Sequence, residues 1–343
     1  MPQAAAMVQT ANCAFDSSGQ LFEVCIHGRD DLMLGGTKKL PSLEMKGIIV
    51  NLEVDPPSAE VMEIARKELR ETPDLARESM EELRNLLKED EELTTPYEYN
   101  KFLERFLRPT KFYPESAYDL VKRYYDFKLK HWDLYREMYP SSVKAVFDQD
   151  LVTTLPLRDE KGRRVLILEL GKKWKHKKVA LEEVFKACVC FVEIAAHEPE
   201  TQVCGVQVIF DMDGLSLQQV WQFTPSFAKL IVDFLQEAIP LRVKGFHIVN
   251  QPYVFNMVFA LFKPFLKEKL SSRIVFHGTD RPSLHNYISP KCLPECYGGT
   301  MEMERIPSEK WYEVLTPIEH EFKEILKYGY LKAIAAKEKD KKK

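Results

Sequence analysis

The stretch that decides the fold runs from residue 205 to residue 278. It reads GVQVIFDMDG at 205–214, PLRVKGFHIVNQP at 240–252 and FKPFLKEKLSSRIVFHG at 262–278. Each segment contains a short run rich in Val, Ile and Phe, which predicts strands at 203–211, 244–250 and 273–276 after a first strand at 164–169. Helical stretches of crossover length separate the last three runs. The pattern therefore predicts an α/β fold with a parallel or mixed sheet and helices packed on it.

Composition excludes several classes of protein. The 343 residues are 45% hydrophobic and 29% charged, which is ordinary for a globular chain, and the net charge of -3 argues against nucleic acid as a partner. No run approaches the roughly 18 apolar residues that a membrane span needs. The amino terminus lacks the features of a signal peptide. The seven cysteines are scattered along the sequence, so we expect them to be reduced thiols in the cytoplasm.

The chain divides into four parts by pattern. Residues 1–54 show no sustained hydrophobic period, which predicts a poorly ordered extension. Short strands near 21–26 and 47–54 are an option within it. The functional alternative is an arm that binds a partner. Residues 55–140 have helical spacing and predict an amino-terminal, all-helical module. Residues 150–304 hold the sheet, and residues 305–343 predict an amphipathic helix followed by a frayed, Lys-rich tail.

Catalytic and metal-binding motifs are missing from the sequence. It contains no GxGxxG, Walker, HExxH or GxSxG motif, and its Cys and Asp spacings fit neither a zinc nor a calcium site. His247 and His277 lie near strand ends, and the sequence indicates no Ser or Cys partner for them. We therefore expect no enzyme activity, no metal and no cofactor other than a bound ligand.

An aromatic helical stretch and a cluster of basic residues occur together between residues 239 and 281 of the sequence. Residues 253–270 form a broad apolar stripe that Pro264 should kink or interrupt. A buried core helix is the plain interpretation. The region 239–281, however, has seven bases against only Glu268 and Asp280, in a chain that is acidic overall. The bases are Arg242, Lys244, Lys263, Lys267, Lys269, Arg273 and Arg281.

An apolar helix flanked by cations fits a carrier of lipid. Each buried methylene of such a ligand contributes ~0.8 kcal/mol, so release into water would be prohibitively slow. The cavity must therefore open at a membrane, and each Lys or Arg near an anionic bilayer is worth ~1 kcal/mol of docking energy. The pattern predicts a cavity that opens towards an anionic membrane.

The sequence resembles the CRAL-TRIO lipid-binding family, and within it the branch of the tocopherol and retinaldehyde carriers and the clavesins. The resemblance covers about residues 55–304. Five blocks carry it in order: FLRPTKFYPESAYDLVKRYYDFK at 106–128, GVQVIFDMDG at 205–214, FTPSFAKLIVDFLQEAIPLRVKGFHIVNQP at 223–252, KPFLKEKLSSRIVFHG at 263–278 and LPECYGG at 293–299. The resemblance implies an apolar cavity roofed by a mobile helical lid at about 250–270.

Carried over by position, the resemblance also implies which side chains line the cavity. Phenylalanine at 223 and 234 would make it more aromatic and tighter than in the tocopherol carrier. The implied ligand-binding residues are Phe185, Cys188, Val192, Val206, Phe210, Leu217, Phe223, Ile231, Phe234, Leu235, Phe255, Val258 and Phe259.

A phosphoinositide-binding cluster is implied in the same way at Arg242, Lys244, Lys269 and Arg273. Thr110 stands where the family often has an arginine, which puts phosphoinositide selectivity in doubt. The expected function is a noncatalytic carrier of a tocopherol-, retinoid- or carotenoid-like lipid, cytoplasmic and reversibly bound to anionic membranes. The alternatives are a phosphatidylinositol or phospholipid exchange protein and a lipid-regulated membrane adaptor. The sequence names no protein partner.

Overall fold

The computed structural model describes residues 13–15, 21–23 and 40–341. Strands β1 (Cys13–Phe15) and β2 (Leu21–Glu23) pair antiparallel. Most of the predicted amino-terminal extension, up to residue 39, lies outside the described residues. No helix in the described ranges is both long enough and apolar enough to cross a bilayer.

Residues 40–54 differ from the predicted poorly ordered extension. Strands β3 (Ser42–Met45) and β4 (Ile48–Asn51) form an antiparallel hairpin whose two turn residues, Lys46 and Gly47, have φ of 49° and 80°. Positive φ at both central positions matches the twist of a two-residue hairpin. Its alternating apolar side chains are buried in the main core: Leu43, Ile48, Val50 and Leu52.

Residues 59–135 hold five helices. They are α1 (Ala59–Leu69), α2 (Pro73–Glu89), α3 (Asn100–Leu107), α4 (Pro114–Lys130) and α5 (Trp132–Tyr135). Side chains of Ser58 and Thr72 cap the first two by accepting from backbone N–H groups three residues on. Helices α2, α3 and α4 share a separate apolar core.

A five-stranded sheet forms the centre of the larger unit. Its strands are β5 (Val152–Thr154), β6 (Arg164–Glu169), β7 (Val206–Asp211), β8 (Val243–Val249) and β9 (Ile274–Gly278), in that spatial order. Strand β5 runs antiparallel to β6 and the other pairs are parallel. The predicted α/β class with a mixed sheet flanked by helices is confirmed.

Helices cover both faces and the ends of the sheet. They are α6 (Lys144–Asp148), α7 (Leu181–Ala195), α8 (Pro199–Cys204), α9 (Leu217–Val220), α10 (Pro225–Asp233), α11 (Phe255–Phe262), α12 (Glu268–Ser271) and α13 (Arg281–His285). A π-helical turn, Phe234–Ala238, extends α10. The strand predicted from residue 203 begins later, at Val206, because α8 ends at Cys204 and Gly205 turns the chain with φ of 90°.

Three more helices close the chain: α14 (Ser308–Leu315), α15 (Glu319–Ile325) and α16 (Leu331–Asp340). The start of the Lys-rich tail is helical where fraying was predicted. Lys337 Nζ donates to the backbone carbonyls of Leu129 at 3.0 Å and Lys130 at 3.1 Å, so α16 is tied to the end of α4.

The two faces of the sheet bury different sets of side chains. On one face, Leu166, Val208 and Phe246 are cross-strand neighbours in the main core, which also contains the β3–β4 hairpin and α14. On the other face, Ile167 and Ile209 pack with the segment after α13. Because side chains alternate along strands, the first face alone borders the cavities described next.

Candidate functional site

An apolar cavity lies between α10, α11 and the carboxyl-terminal ends of the parallel strands. The centre of a water molecule could occupy about 110 Å³ of it. Every side chain that lines it is apolar, which suits a hydrocarbon and offers no partner to a polar group. The lining residues are Leu170, Phe210, Met212, Phe223, Ile231, Val232, Leu235, Phe246, Ile248, Phe255, Val258, Phe259, Phe262, Leu266, Leu270 and Ile274.

Helix α11 covers this cavity and is called the lid here. The lid buries Phe255 and Val258 against the cavity, while Tyr253 just before it is 88% exposed and Met257 is half exposed. Its end at Phe262 is followed by a 3-10 turn that contains Pro264, and α12 begins only at Glu268. The lid is therefore one short helix within the implied segment of about 250–270, and the interruption predicted at Pro264 is present, because proline breaks the helical hydrogen bonds.

The outward face of this region is rich in exposed apolar side chains. Helix α9 packs beside the lid, and there Trp221 is 68% and Leu217 46% exposed. Large exposed side chains close together on a folded protein often mark an interaction surface.

A second cavity adjoins the first on the same sheet face, towards the amino-terminal ends of the parallel strands. The centre of a water molecule could occupy about 60 Å³ of it. Val208 of this cavity and Phe246 of the first are cross-strand neighbours. The Phe210 and Phe246 rings, which both line the first cavity, have their centroids 6.2 Å apart. The lining residues are Leu52, Thr154, Arg164, Leu166, Phe191, Val192, Ile194, Ala195, Glu198, Val206, Val208, Ile239, Leu241, Val243 and Trp311.

The predicted ligand-binding residues fall into three groups. The first cavity brings together Phe210, Phe223, Ile231, Leu235, Phe255, Val258 and Phe259. The second contains Val192 and Val206. Of the rest, Phe185, Cys188 and Phe234 pack in the surrounding core without lining either cavity, and Leu217 is displaced to the surface of α9.

Sequence reasoning missed several lining residues. Phe246 and Ile248 alternate on β8 in register with Val208 and Phe210 on β7, so both strands present them to the same face. This alternation of apolar side chains along β8 could have identified both residues from the sequence. Trp311 had no local signal, because it reaches the site from α14, far along the chain.

The predicted basic cluster starts at the amino-terminal ends of β8 and β9. Arg242 Nη2 and Lys244 Nζ donate to Glu68 Oε2 of α1 at 2.5 and 3.2 Å. Arg273 Nη1 donates to the Val243 carbonyl at 2.6 Å, and Lys269 is exposed on α12. The hydrogen bond from Arg242 lowers the pKa of Glu68, whereas burial and then the Arg242 charge lower the pKa of Lys244. Part of the cluster is thus neutralised within the protein.

A buried ionic cluster joins the helices before the sheet to α7. Arg105 Nη2 lies 2.5 Å from Glu193 Oε2, the Tyr124 hydroxyl donates to Glu193 Oε1 at 2.8 Å, and Lys128 Nζ lies 3.9 Å from it. Burial alone would raise the pKa of Glu193, but the charges of Arg105 and Lys128 outweigh it and lower that pKa to about 2. Burial lowers the pKa of Lys128 to about 7.

The two strand-end histidines have partners that the sequence did not indicate. His277 Nδ1 lies 2.8 Å from Ser283 Oγ, and its Nε2 lies 2.9 Å from His247 Nδ1. The His247 Nε2 atom lies 3.1 Å from Gln207 Oε1. Burial, and then His277, lower the pKa of His247 to about 4, so the ring is neutral at pH 7. This chain of polar groups lies on the sheet face opposite the cavities.

Comparison with known proteins agrees with this architecture. The CRAL/TRIO domain family matches residues 148–299. An alpha-tocopherol transfer protein-like protein of Mus musculus is 32% identical over 283 residues, which cover 82% of this chain and 80% of the relative. Clavesin-1 of Pongo abelii is 32% identical over 71% of this chain and 69% of its own, and clavesin-2 of Homo sapiens is 29% identical over 79% and 82%.

These matches define the class of protein. The chain belongs to the CRAL/TRIO family of lipid-binding transfer proteins, as the resemblance of its sequence blocks implied. A crystal structure of Sfh5 aligns with 58% of this chain and 72% of its own at 20% identity, with a TM-score of 0.38 that supports no closer comparison.

Proposed function

We propose that this protein carries a small hydrophobic lipid, of the tocopherol, retinoid or carotenoid type, in the cavity beneath the lid. The single observation that carries the proposal is the wholly apolar lining of that cavity. Burial of each ligand methylene contributes ~0.8 kcal/mol, and no lining side chain requires a polar partner from the ligand. Similarity to the alpha-tocopherol transfer protein-like protein supports an isoprenoid ligand.

Transfer would take place at anionic membranes that contain phosphoinositides. Tyr253, Met257 and Trp221 form an exposed apolar surface around the lid, and Arg242, Lys244, Lys269 and Arg273 supply positive charge. An apolar surface is solvated by lipid once it reaches a bilayer, so docking favours the open lid and ligand exchange. The protein would be cytoplasmic and reversibly membrane-bound. Residues 150–304 would be the lipid-binding domain and 55–140 its helical companion.

Vesicle sedimentation tests the docking role. Changing Arg242, Lys244, Lys269 and Arg273 together to Ala should reduce binding to phosphoinositide vesicles by at least about tenfold, because each available cation near the surface is worth ~1 kcal/mol. Binding of retinol, followed by its fluorescence, should be retained. A matched control changes four lysines of the carboxyl-terminal region to Ala: Lys323, Lys327, Lys332 and Lys339. Equal sedimentation of the two variants would refute docking through the cluster.

A further inference from the structure

Two residues that line the second cavity each have a buried polar side-chain atom that lacks a hydrogen-bond partner. These atoms are the Thr154 hydroxyl and the Trp311 indole Nε1, each buried and each without a partner among the residues that the structure describes. Trp311 as a whole is only 4% exposed. An unpaired polar group in such a place costs about 1–3 kcal/mol, so two around one small cavity point to a missing partner.

The fold places both residues at the same wall. Thr154 is the last residue of edge strand β5 and pairs with Leu166, which neighbours Val208, so its side chain belongs to the cavity face of the sheet. Helix α14 packs against β5 and brings in Trp311, whose ring meets Phe191 edge-on at 5.8 Å.

The neighbouring threonine and the other buried tryptophans do have hydrogen-bond partners. Thr153, on the same strand, donates to the Ile306 carbonyl at 2.6 Å. The other two buried tryptophans also donate, Trp174 to the Val179 carbonyl at 2.9 Å and Trp132 to Glu338 at 3.0 Å. Trp311 is therefore the exception among the buried tryptophans that the structure describes, whereas a buried threonine hydroxyl without a partner also occurs at Thr95.

We propose that Thr154 and Trp311 bind an uncharged oxygen at one end of the lipid, an alcohol or a carbonyl. The inference rests on the proposed function and specifies its ligand. Indole N–H donates only, whereas the threonine hydroxyl donates to a carbonyl or accepts from an alcohol, so both kinds of oxygen are satisfied by this pair.

The charged residues of the cavity exclude an ionised end group. Arg164 already makes two hydrogen bonds to Glu198, at 2.7 and 2.9 Å, so its charge is committed. Burial alone would raise the pKa of Glu198, but Arg164 lowers it to about 2, and the carboxylate stays ionised. A ligand carboxylate or phosphate would lose its hydration on entering this cavity. It would also be repelled by the Glu198 carboxylate, because the described part of the cavity lining has no unpaired cation to compensate its charge.

The arrangement also fixes the direction of the ligand. Its oxygen end would occupy the second cavity, and its hydrocarbon part would pass Phe210 and Phe246 into the first cavity beneath the lid. The apolar end is then the part nearest the exposed surface of α11, and the oxygen end leaves last.

Four retinoids with one carbon skeleton test the inference on the full chain: retinol, retinal, retinoic acid and the hydrocarbon deoxyretinol. The wild type should bind retinol and retinal about tenfold more tightly than deoxyretinol, as one or two hydrogen bonds give. Thr154→Val keeps the side-chain shape and should reduce that ratio at least threefold without weakening deoxyretinol binding. Trp311→Phe should reduce it as well. Thr153→Val is the control and should leave the ratio unchanged.

Each other outcome has a distinct meaning. Equal binding of retinol and deoxyretinol by the wild type, or a ratio that both variants retain, would overturn the oxygen site and leave the carrier proposal intact. Tightest binding of retinoic acid would overturn the requirement for an uncharged end. Failure of all four compounds to bind would overturn the proposed retinoid-type cargo, and the inference with it.

Discussion

Glu68 and Arg242 form an ion pair between α1 and the segment that enters β8, with Oε2 and Nη2 2.5 Å apart. The two residues are 174 positions apart in the sequence. Lys244 shares the same carboxylate, so one acidic side chain masks two of the four cations proposed to dock on anionic lipid. Membrane affinity should therefore depend on a residue outside the sheet.

Replacing Glu68 by Gln should strengthen binding to anionic vesicles. The change removes one negative charge beside the cluster, and one charge near an anionic surface is worth ~1 kcal/mol, or about a fivefold gain in affinity. Vesicle cosedimentation at low and physiological salt measures it, and the gain should shrink as salt screens the charges.

Glu63→Gln is the matched control for this experiment. Glu63 lies on the same helix, is exposed and pairs with Arg66 and Lys67, so the net charge changes equally but away from the cluster. Equal gains in the two variants would show that overall charge, and not the mask on Arg242, sets the affinity.

Tryptophan fluorescence should report docking of the lid surface. Trp221 is the exposed member of the four tryptophans, since Trp132, Trp174 and Trp311 are buried. If this surface enters the interface, vesicles should shift the emission to shorter wavelength, and Trp221→Phe should abolish the shift while Trp132→Phe retains it. A shift that persists without Trp221 would place the contact elsewhere.

The buried cluster around Glu193 should respond unequally to the loss of its two cations. Arg105→Met leaves a buried carboxylate with Lys128 3.9 Å away, and breaking such a pair costs about 3–5 kcal/mol. Lys128→Met leaves the short Arg105–Glu193 bond intact and should cost much less. Denaturant unfolding of both variants measures the difference, and equal losses would contradict it.

The same lysine predicts a pH dependence of stability. Burial lowers the pKa of Lys128 from 10.5 to about 7, so between these values the unfolded chain binds a proton that the folded protein does not. Stability from this group therefore rises with pH above about 7. Relative to Lys128→Met, the wild type should gain about 2–3 kcal/mol of unfolding free energy from pH 6 to pH 9. A constant difference would mean that Lys128 keeps its proton in the folded state.

Local patterns predicted the sheet well. The strand Arg164–Glu169 has the predicted bounds, and Val243–Val249 begins and ends one residue early, because runs of β-branched residues carry their own signal. The three-residue edge strand Val152–Thr154 was missed, since it is too short to show a period.

The cavity could be predicted only in part. The apolar residues on β7, α10 and the lid could be predicted from hydrophobic periodicity and from the family resemblance. Seven of the predicted residues line the first cavity. Distant helices packing on the sheet bring Thr154 and Trp311 to one cavity and pair Glu68 with Arg242. No local pattern encodes such contacts, and the second cavity was therefore not foreseen.

Mass spectrometry of an organic extract of the protein, purified from its native source, tests the central claim most directly. We expect an isoprenoid with an alcohol or carbonyl end, at near-stoichiometric amount. Reconstitution with that compound should then restore saturation to protein that has lost its ligand. A phospholipid at near-stoichiometric amount, or a protein that is folded and empty and that no isoprenoid saturates on reconstitution, would contradict it.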